Sequence, residues 1–123
     1  MNIDTYLKWP YQMEIEPEGI SLIVKNDGSV EGIAHEFDTC CTSINDVEKM
    51  VESVIVDFAE FCFDEKIPFP APGKIENGDK VFTLPSDFAL KIAIHNKTLK
   101  DNNRPSEPHK QRKRGVPGFK ACG

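Results

Sequence analysis

The chain has 123 residues, 39% hydrophobic and 28% charged, with a formal net charge of −5. Such values fit one soluble domain with a short appendage and exclude an intrinsically disordered chain. No run approaches the roughly 18–20 apolar residues a membrane helix needs, and residues 1–10 lack the basic and apolar regions of a secretory signal, so a cytoplasmic protein without membrane association is expected.

Charge is unevenly placed. Residues 1–103 carry 9 Lys/Arg against 19 Asp/Glu, a formal −10, whereas residues 104–123 carry 6 against 1, a formal +5. An acidic body suits a basic partner, and a basic tail suits an acidic polymer.

In chain order, Tyr11-Gln12-Met13-Glu14-Ile15-Glu16 alternates apolar and polar residues, the mark of a strand with one buried face. Pro17-Glu18-Gly19 turns the chain into a second strand at Ile20-Ser21-Leu22-Ile23-Val24, and Asn26-Asp27-Gly28 supplies a turn with positive φ. Residues 30–37 read as a third strand or an irregular extended segment, strand being preferred. A long amphipathic helix follows from residue 42, because Ile44, Val47, Met50, Val51, Val54, Ile55, Phe58, Phe61 and Cys62 recur at spacings of three and four. Ser43 is its expected N-cap, with Asn45 and Asp46 in the first turn. At roughly 22 residues the helix would be about 33 Å long, enough to cross a small sheet.

Ile67-Pro68-Phe69-Pro70-Ala71-Pro72-Gly73 then forces an extended strap, since proline removes donors and fixes φ. Residues 79–84, entered by Asn77-Gly78, form a further strand expected to rejoin the sheet beside the first. Ser86 is a second expected N-cap, opening a helix with Phe88, Ala89, Ile92, Ala93 and Leu99 on one side. Residues 1–103 thus make one α/β domain of the α+β kind, an antiparallel three- to four-stranded sheet with one long helix across it and a second C-terminal helix. Residues 104–123, rich in Pro and Gly, make a flexible basic tail.

Catalytic signals are weak. Glu14 and Glu16 share one strand face, but no later Asp sits where a two-metal nuclease needs it. His35, His95 and His109 pair with no Ser or Cys nucleophile, and no Gly-rich phosphate cradle precedes a helix, so no catalytic residue, metal or cofactor is expected. Cys40, Cys41, Cys62 and Cys122 lack metal-ligand spacing, and free thiols are expected. Binding is better signalled. Glu14, Glu16, Glu18, Asp27, Glu31, Glu36 and Asp38 are candidates for an acidic face meeting a basic protein, the alternative being a solvated sheet surface. Lys110, Arg112, Lys113 and Arg114 are candidates for salt-dependent phosphate contacts. Val56 and Phe63, seven residues apart off the main stripe, mark either a partner surface or a patch covered by the strap through Phe69.

Residues 58–72, with the strap Ile67-Pro68-Phe69-Pro70-Ala71-Pro72, then Val81-Phe82-Thr83-Leu84-Pro85-Ser86 and Leu90-Lys91-Ile92-Ala93-Ile94-His95-Asn96, resemble the HicB antitoxin family. The resemblance implies a partial RNase-H-like layer. It also implies a role neutralising a small, basic, HicA-like toxin that cuts mRNA, by occluding its active or RNA-binding surface, with a homodimer or higher oligomer as the assembly. Two departures stand out. The family's short Pro-Asp-hydrophobic-Pro-Gly-Cys motif before the helix is replaced by residues 26–41. Asn102-Asn103-Arg104-Pro105-Ser106-Glu107 resembles the lead-in to the family's helix-turn-helix, but residues 108–123 lack the periodicity of one. Operator DNA binding is therefore not expected, and a truncation or frameshift near Glu107 would account for the ending. A regulator that binds nucleic acid through the tail and dimerises through the body is the alternative function.

Overall fold

Strand β1, Lys8–Glu16, alternates as expected but starts earlier than the alternation does, and strand β2, Gly19–Lys25, returns antiparallel to it with Glu16 opposite Gly19. The computed structural model describes residues 3–101. Strand β3, Glu36–Cys41, continues the meander beside β2, and strand β4, Lys80–Thr83, joins the other side of β1, so the antiparallel order is β3-β2-β1-β4. The late strand does rejoin the sheet beside the first. Between β3 and β4 runs helix α1, Val47–Glu65, and helix α2, Ser86–Asp101, follows β4. The class is α+β, as expected.

The third strand lies later than the preferred reading of residues 30–37. Asn26 explains the shift. Its side-chain amide donates to the Ala34 carbonyl at 2.7 Å, its side-chain oxygen accepts from the Gly28 N–H at 2.8 Å, and its own N–H donates to the His35 carbonyl at 2.9 Å. These bonds satisfy an irregular loop locally, and strand pairing resumes only at Lys25 opposite Glu36. Gly28 has the positive φ, 70°, that the turn needs.

One face of the sheet is the core. Trp9, Tyr11, Ile20, Leu22, Val24, Phe37, Cys41 and Phe82 are buried beneath Val47, Val51, Val54, Ile55, Phe58, Ala59 and Cys62 of α1. Ser43 caps a 3-10 turn, Ile44–Asp46, by accepting from the Asn45 N–H at 3.2 Å, so α1 itself begins at Val47 and spans 19 residues. That prelude lifts Ile44 out of the stripe, and it is 56% exposed. At the far end Lys66 takes a left-handed conformation, φ 59°, and its N–H closes the helix on the Cys62 and Phe63 carbonyls. Phe63 packs on the other side of α1, edge-on to His95 at 4.7 Å and against Phe88 at 6.1 Å, so α2 rather than the strap covers it. The Pro85 carbonyl accepts from the Phe88 and Ala89 N–H groups, which puts Pro85 at the start of α2 and makes Ser86 its first helical residue rather than a cap.

The strap is held by three links: the Phe69 ring, two side chains of α2, and the edge of β2. Phe69 is buried between Trp9 (5.6 Å) and Phe37 (5.8 Å). Asn96 of α2 accepts from the Phe69 N–H and donates to the Phe69 carbonyl, both at 2.9 Å, and donates to the Tyr6 hydroxyl at 2.9 Å. His95 Nε2 lies 2.7 Å from the Ile67 carbonyl. The third link follows from Pro10. A β1–β2 ladder continued past Tyr11↔Val24 would need an N–H at Pro10 to meet the Lys25 carbonyl, and proline has none. The Gly73 N–H takes that place at 2.9 Å, the Asp27 N–H donates to the Ala71 carbonyl, and Pro72 bridges Asn26. A Cβ on Gly73 would lie 2.9 Å from the Asn26 carbonyl oxygen, which is why the close approach requires glycine.

Cys41 and Cys62 are free and buried, but Cys40 is disulfide-bonded, which corrects the expectation of free thiols. Neighbours on a strand face opposite sides, so Cys41 enters the core while Cys40 lies half-buried on the other face. Among the described residues no helix is long and apolar enough to cross a membrane.

Candidate partner-binding face

Both helices leave the second face of the sheet bare, and the side-chain period of two decides what stands on it. Register places Gln12, Glu14 and Glu16 of β1, Ser21, Ile23 and Lys25 of β2, and Glu36, Asp38 and Cys40 of β3 on this outer face. Four expected acidic residues, Glu14, Glu16, Glu36 and Asp38, are thus brought together, all exposed. Glu18 sits beside them in the β1–β2 turn. Asp27 and Glu31 do not join them. Asp27 closes its own turn, accepting from the Ser29 N–H at 3.0 Å and the Ser29 hydroxyl at 2.7 Å, and Glu31 lies in the following loop. The basic candidates Lys110, Arg112, Lys113 and Arg114 lie outside the described residues.

Carboxylates on β1 and β3 are separated by β2, hence by about 10 Å, or two strand spacings. A two-metal site needs ions about 3.5–4 Å apart, and among the described residues no three of His, Cys, Asp or Glu gather to hold one. The arrangement makes a distributed negative field instead. None of the four outer carboxylates is in a salt bridge among the described residues, so their charge is turned to solvent.

The segment between the strap and β4 arches over one end of this face, a feature that sequence reading missed. Lys25 Nζ lies 3.1 Å from the Asp79 carboxylate and 3.5 Å from that of Glu76, and Gln12 Nε2 donates to Asp79 Oδ1 at 3.1 Å. Under the arch is a cleft of about 410 Å³ lined by Gln12, Glu14, Ser21, Ile23 and Asn77. Its one legible signal is Lys25, a lone cation at the end of a mostly apolar strand. The Glu76 N–H, donating to Asp79 Oδ2 at 2.9 Å, holds the Asp79 carboxyl below its usual range, with burial opposing and Lys25 and Gln12 assisting. The hydrogen bond to Asp79 raises Lys25, again against burial. Burial, helped by the Glu48 charge, also raises the Tyr11 hydroxyl.

The signs fix a pH window. A lowered acid contributes its full stability above its unfolded value, near 3.8, and loses it as pH falls through the lower folded value. A raised lysine contributes fully below its unfolded value of 10.5 and loses it as pH rises through the higher folded one. The clamp is therefore indifferent to pH between about 5 and 9 and opens in acid. Carboxyl-carbon NMR should give an Asp79 midpoint below 3.8, and Lys25→Met should raise it. An unchanged midpoint in the variant would show that the Lys25–Asp79 pair does not form.

The sequence model described as HicB_like antitoxin of bacterial toxin-antitoxin system matches residues 34–93, from the start of the β3 region through the strap and β4 into α2. No curated protein matches the chain.

Proposed function

We propose that this chain, recognised as HicB-like by the match over residues 34–93, is an antitoxin that binds a HicA-like, mRNA-cleaving toxin in the cytoplasm. It occludes the toxin's active or RNA-binding surface and has no catalytic step of its own. The observation that supports this reading is the helix-free sheet face carrying Glu14, Glu16, Glu36 and Asp38, none of them in a salt bridge among the described residues. A protein that handles RNA meets phosphates with Lys and Arg. A rigid surface bearing the same sign of charge as the RNA competes for those cations, and complementary fields speed the encounter.

The test is titration of the chain against a HicA-like toxin in an RNA-cleavage assay. Neutralising the face with E14Q, E16Q, E36Q and D38N together should weaken inhibition about 10- to 100-fold at roughly 0.1 M salt, mainly through slower association. Thermal stability should hardly change, because exposed unpaired carboxylates contribute little to it. Unaltered inhibition by the quadruple variant would remove this face from the contact. Absence of any complex with the wild-type chain, with tail-dependent nucleic-acid binding instead, would replace the antitoxin by the regulator.

A further inference from the structure

β4 covers only part of β1. Their pairing runs from Lys8↔Thr83 to Tyr11↔Lys80, whereas β1 continues to Glu16. The Leu84 N–H donates to the Leu7 carbonyl at 2.8 Å, so the odd-numbered residues along β1 turn their N–H and C=O groups toward β4. Met13 and Ile15 have the same parity, and among the described residues no strand lies opposite them. Beside this edge, on the helix side of the sheet, is a groove of about 600 Å³ whose lining is apolar at Tyr11, Met13, Ile44 and Val47 and charged at Glu48 and Lys80. Ile44 in its lining is 56% exposed, and Ile15, two residues beyond Met13 on the same face of β1, is 71% exposed. Bare edges of this kind are usually shortened, charged or covered.

We propose that this edge of β1 accepts an added strand from the basic partner, extending the sheet to five strands. The inference rests on the antitoxin reading and says how the partner is gripped. Alternation dictates the guest. Side chains of an added strand on the outer face stand beside Glu14 and Glu16, while the intervening ones meet Met13, Ile15 and Ile44. The occupant is therefore an exposed strand with basic residues at every second position and apolar residues between them. The chain's own run Lys110-Gln111-Arg112-Lys113-Arg114 has the charge but no apolar residue to enter the groove. A second copy of β1 fails for the opposite reason, since it brings Glu14 and Glu16 against the same carboxylates, and like charges in adjacent strands repel.

Ile15→Pro tests this directly, because it deletes an N–H that points away from β2 and leaves the β1–β2 ladder intact. Ile15→Thr is the control that keeps the N–H. With full-length chain and a HicA-like toxin whose catalytic histidine is replaced, Ile15→Pro should weaken binding about tenfold or more, and Ile15→Thr several-fold less. Amide exchange at Met13 and Ile15 should be fast in the free wild-type chain and slowed in the complex, a readout that needs no variant to fold. Wild-type affinity in a folded Ile15→Pro chain, or no slowing at these amides in the complex, overturns the added strand and leaves the antitoxin reading standing. Protection already present in the free chain assigns the edge to a second copy or to the chain's own tail and also overturns it. No complex with wild type overturns both.

Discussion

Replacing Phe37 with alanine should cost about 3–5 kcal/mol of folding free energy, the range for emptying a large aromatic site. Phe37, the second residue of β3, is fully buried, stacked on Phe58 of α1 at 4.1 Å and on Phe69 of the strap at 5.8 Å. It therefore joins the sheet edge, the long helix and the proline strap, three elements far apart in sequence. Small domains have only about 5–15 kcal/mol in total, so urea denaturation should show a much lower midpoint, and the variant is expected near the limit of folding. Phe37→Leu, which keeps most of the volume, should recover a large part of the loss. Glu36 and Asp38 flank Phe37 on the outer face, so loosening β3 should also weaken toxin inhibition without removing a charge. A loss below about 1 kcal/mol would show that the aromatic stack does not form the core described.

Asn96→Ala should cost about 2–4 kcal/mol, because it strips partners from both backbone groups of Phe69, each valued at about 1–3 kcal/mol when orphaned. Asn96 behaves as a piece of strand, receiving from the Phe69 N–H and donating to its carbonyl at 2.9 Å each. The strap needs this because alternate prolines forbid it a ladder of its own. Asn96→Asp distinguishes the two bonds. A carboxylate still accepts from the N–H but meets the Phe69 carbonyl acceptor to acceptor, so this variant should be more stable in acid, where the protonated oxygen donates. Denaturation at pH 4 and pH 7, with amide exchange at Phe69, checks the pattern. Equal losses at both pH values would show that the donated bond contributes nothing.

Legibility followed the range of the forces involved. The α1 stripe, the β1 and β2 alternation and the turn at Gly28 rest on local period and local dihedral preference, so one sequence displays them. The third strand lies later than the alternation of residues 30–37 suggests because Asn26 satisfies residues 28, 34 and 35 through bonds that no periodicity announces. Phe69 was legible as a strap residue but not as the third ring of a core stack. Of the acidic candidates, the strand residues sorted onto one face by parity, whereas Asp27 and Glu31 were separated from it by the same loop that displaced β3. The resemblance behind the antitoxin reading lies in the strap, the Leu-Pro-Ser entry and Asn96, and the match over residues 34–93 covers the first two and ends three residues before Asn96.

By itself, then, the sequence determined the helices, the first hairpin, the proline strap and the acidity of the body, because each depends on neighbours within a few residues or on composition alone. Tertiary structure decided which carboxylates share a face, how Lys25 and Asp79 arch the 74–79 segment over it, and that β4 stops at Tyr11 and leaves Met13 and Ile15 bare. Those outcomes depend on register between distant strands. In a sheet, one step of register exchanges the buried face for the wet one, and the packing of Trp9, Phe69 and Phe37 on one another, and of Phe37 on Phe58 of α1, selects between them.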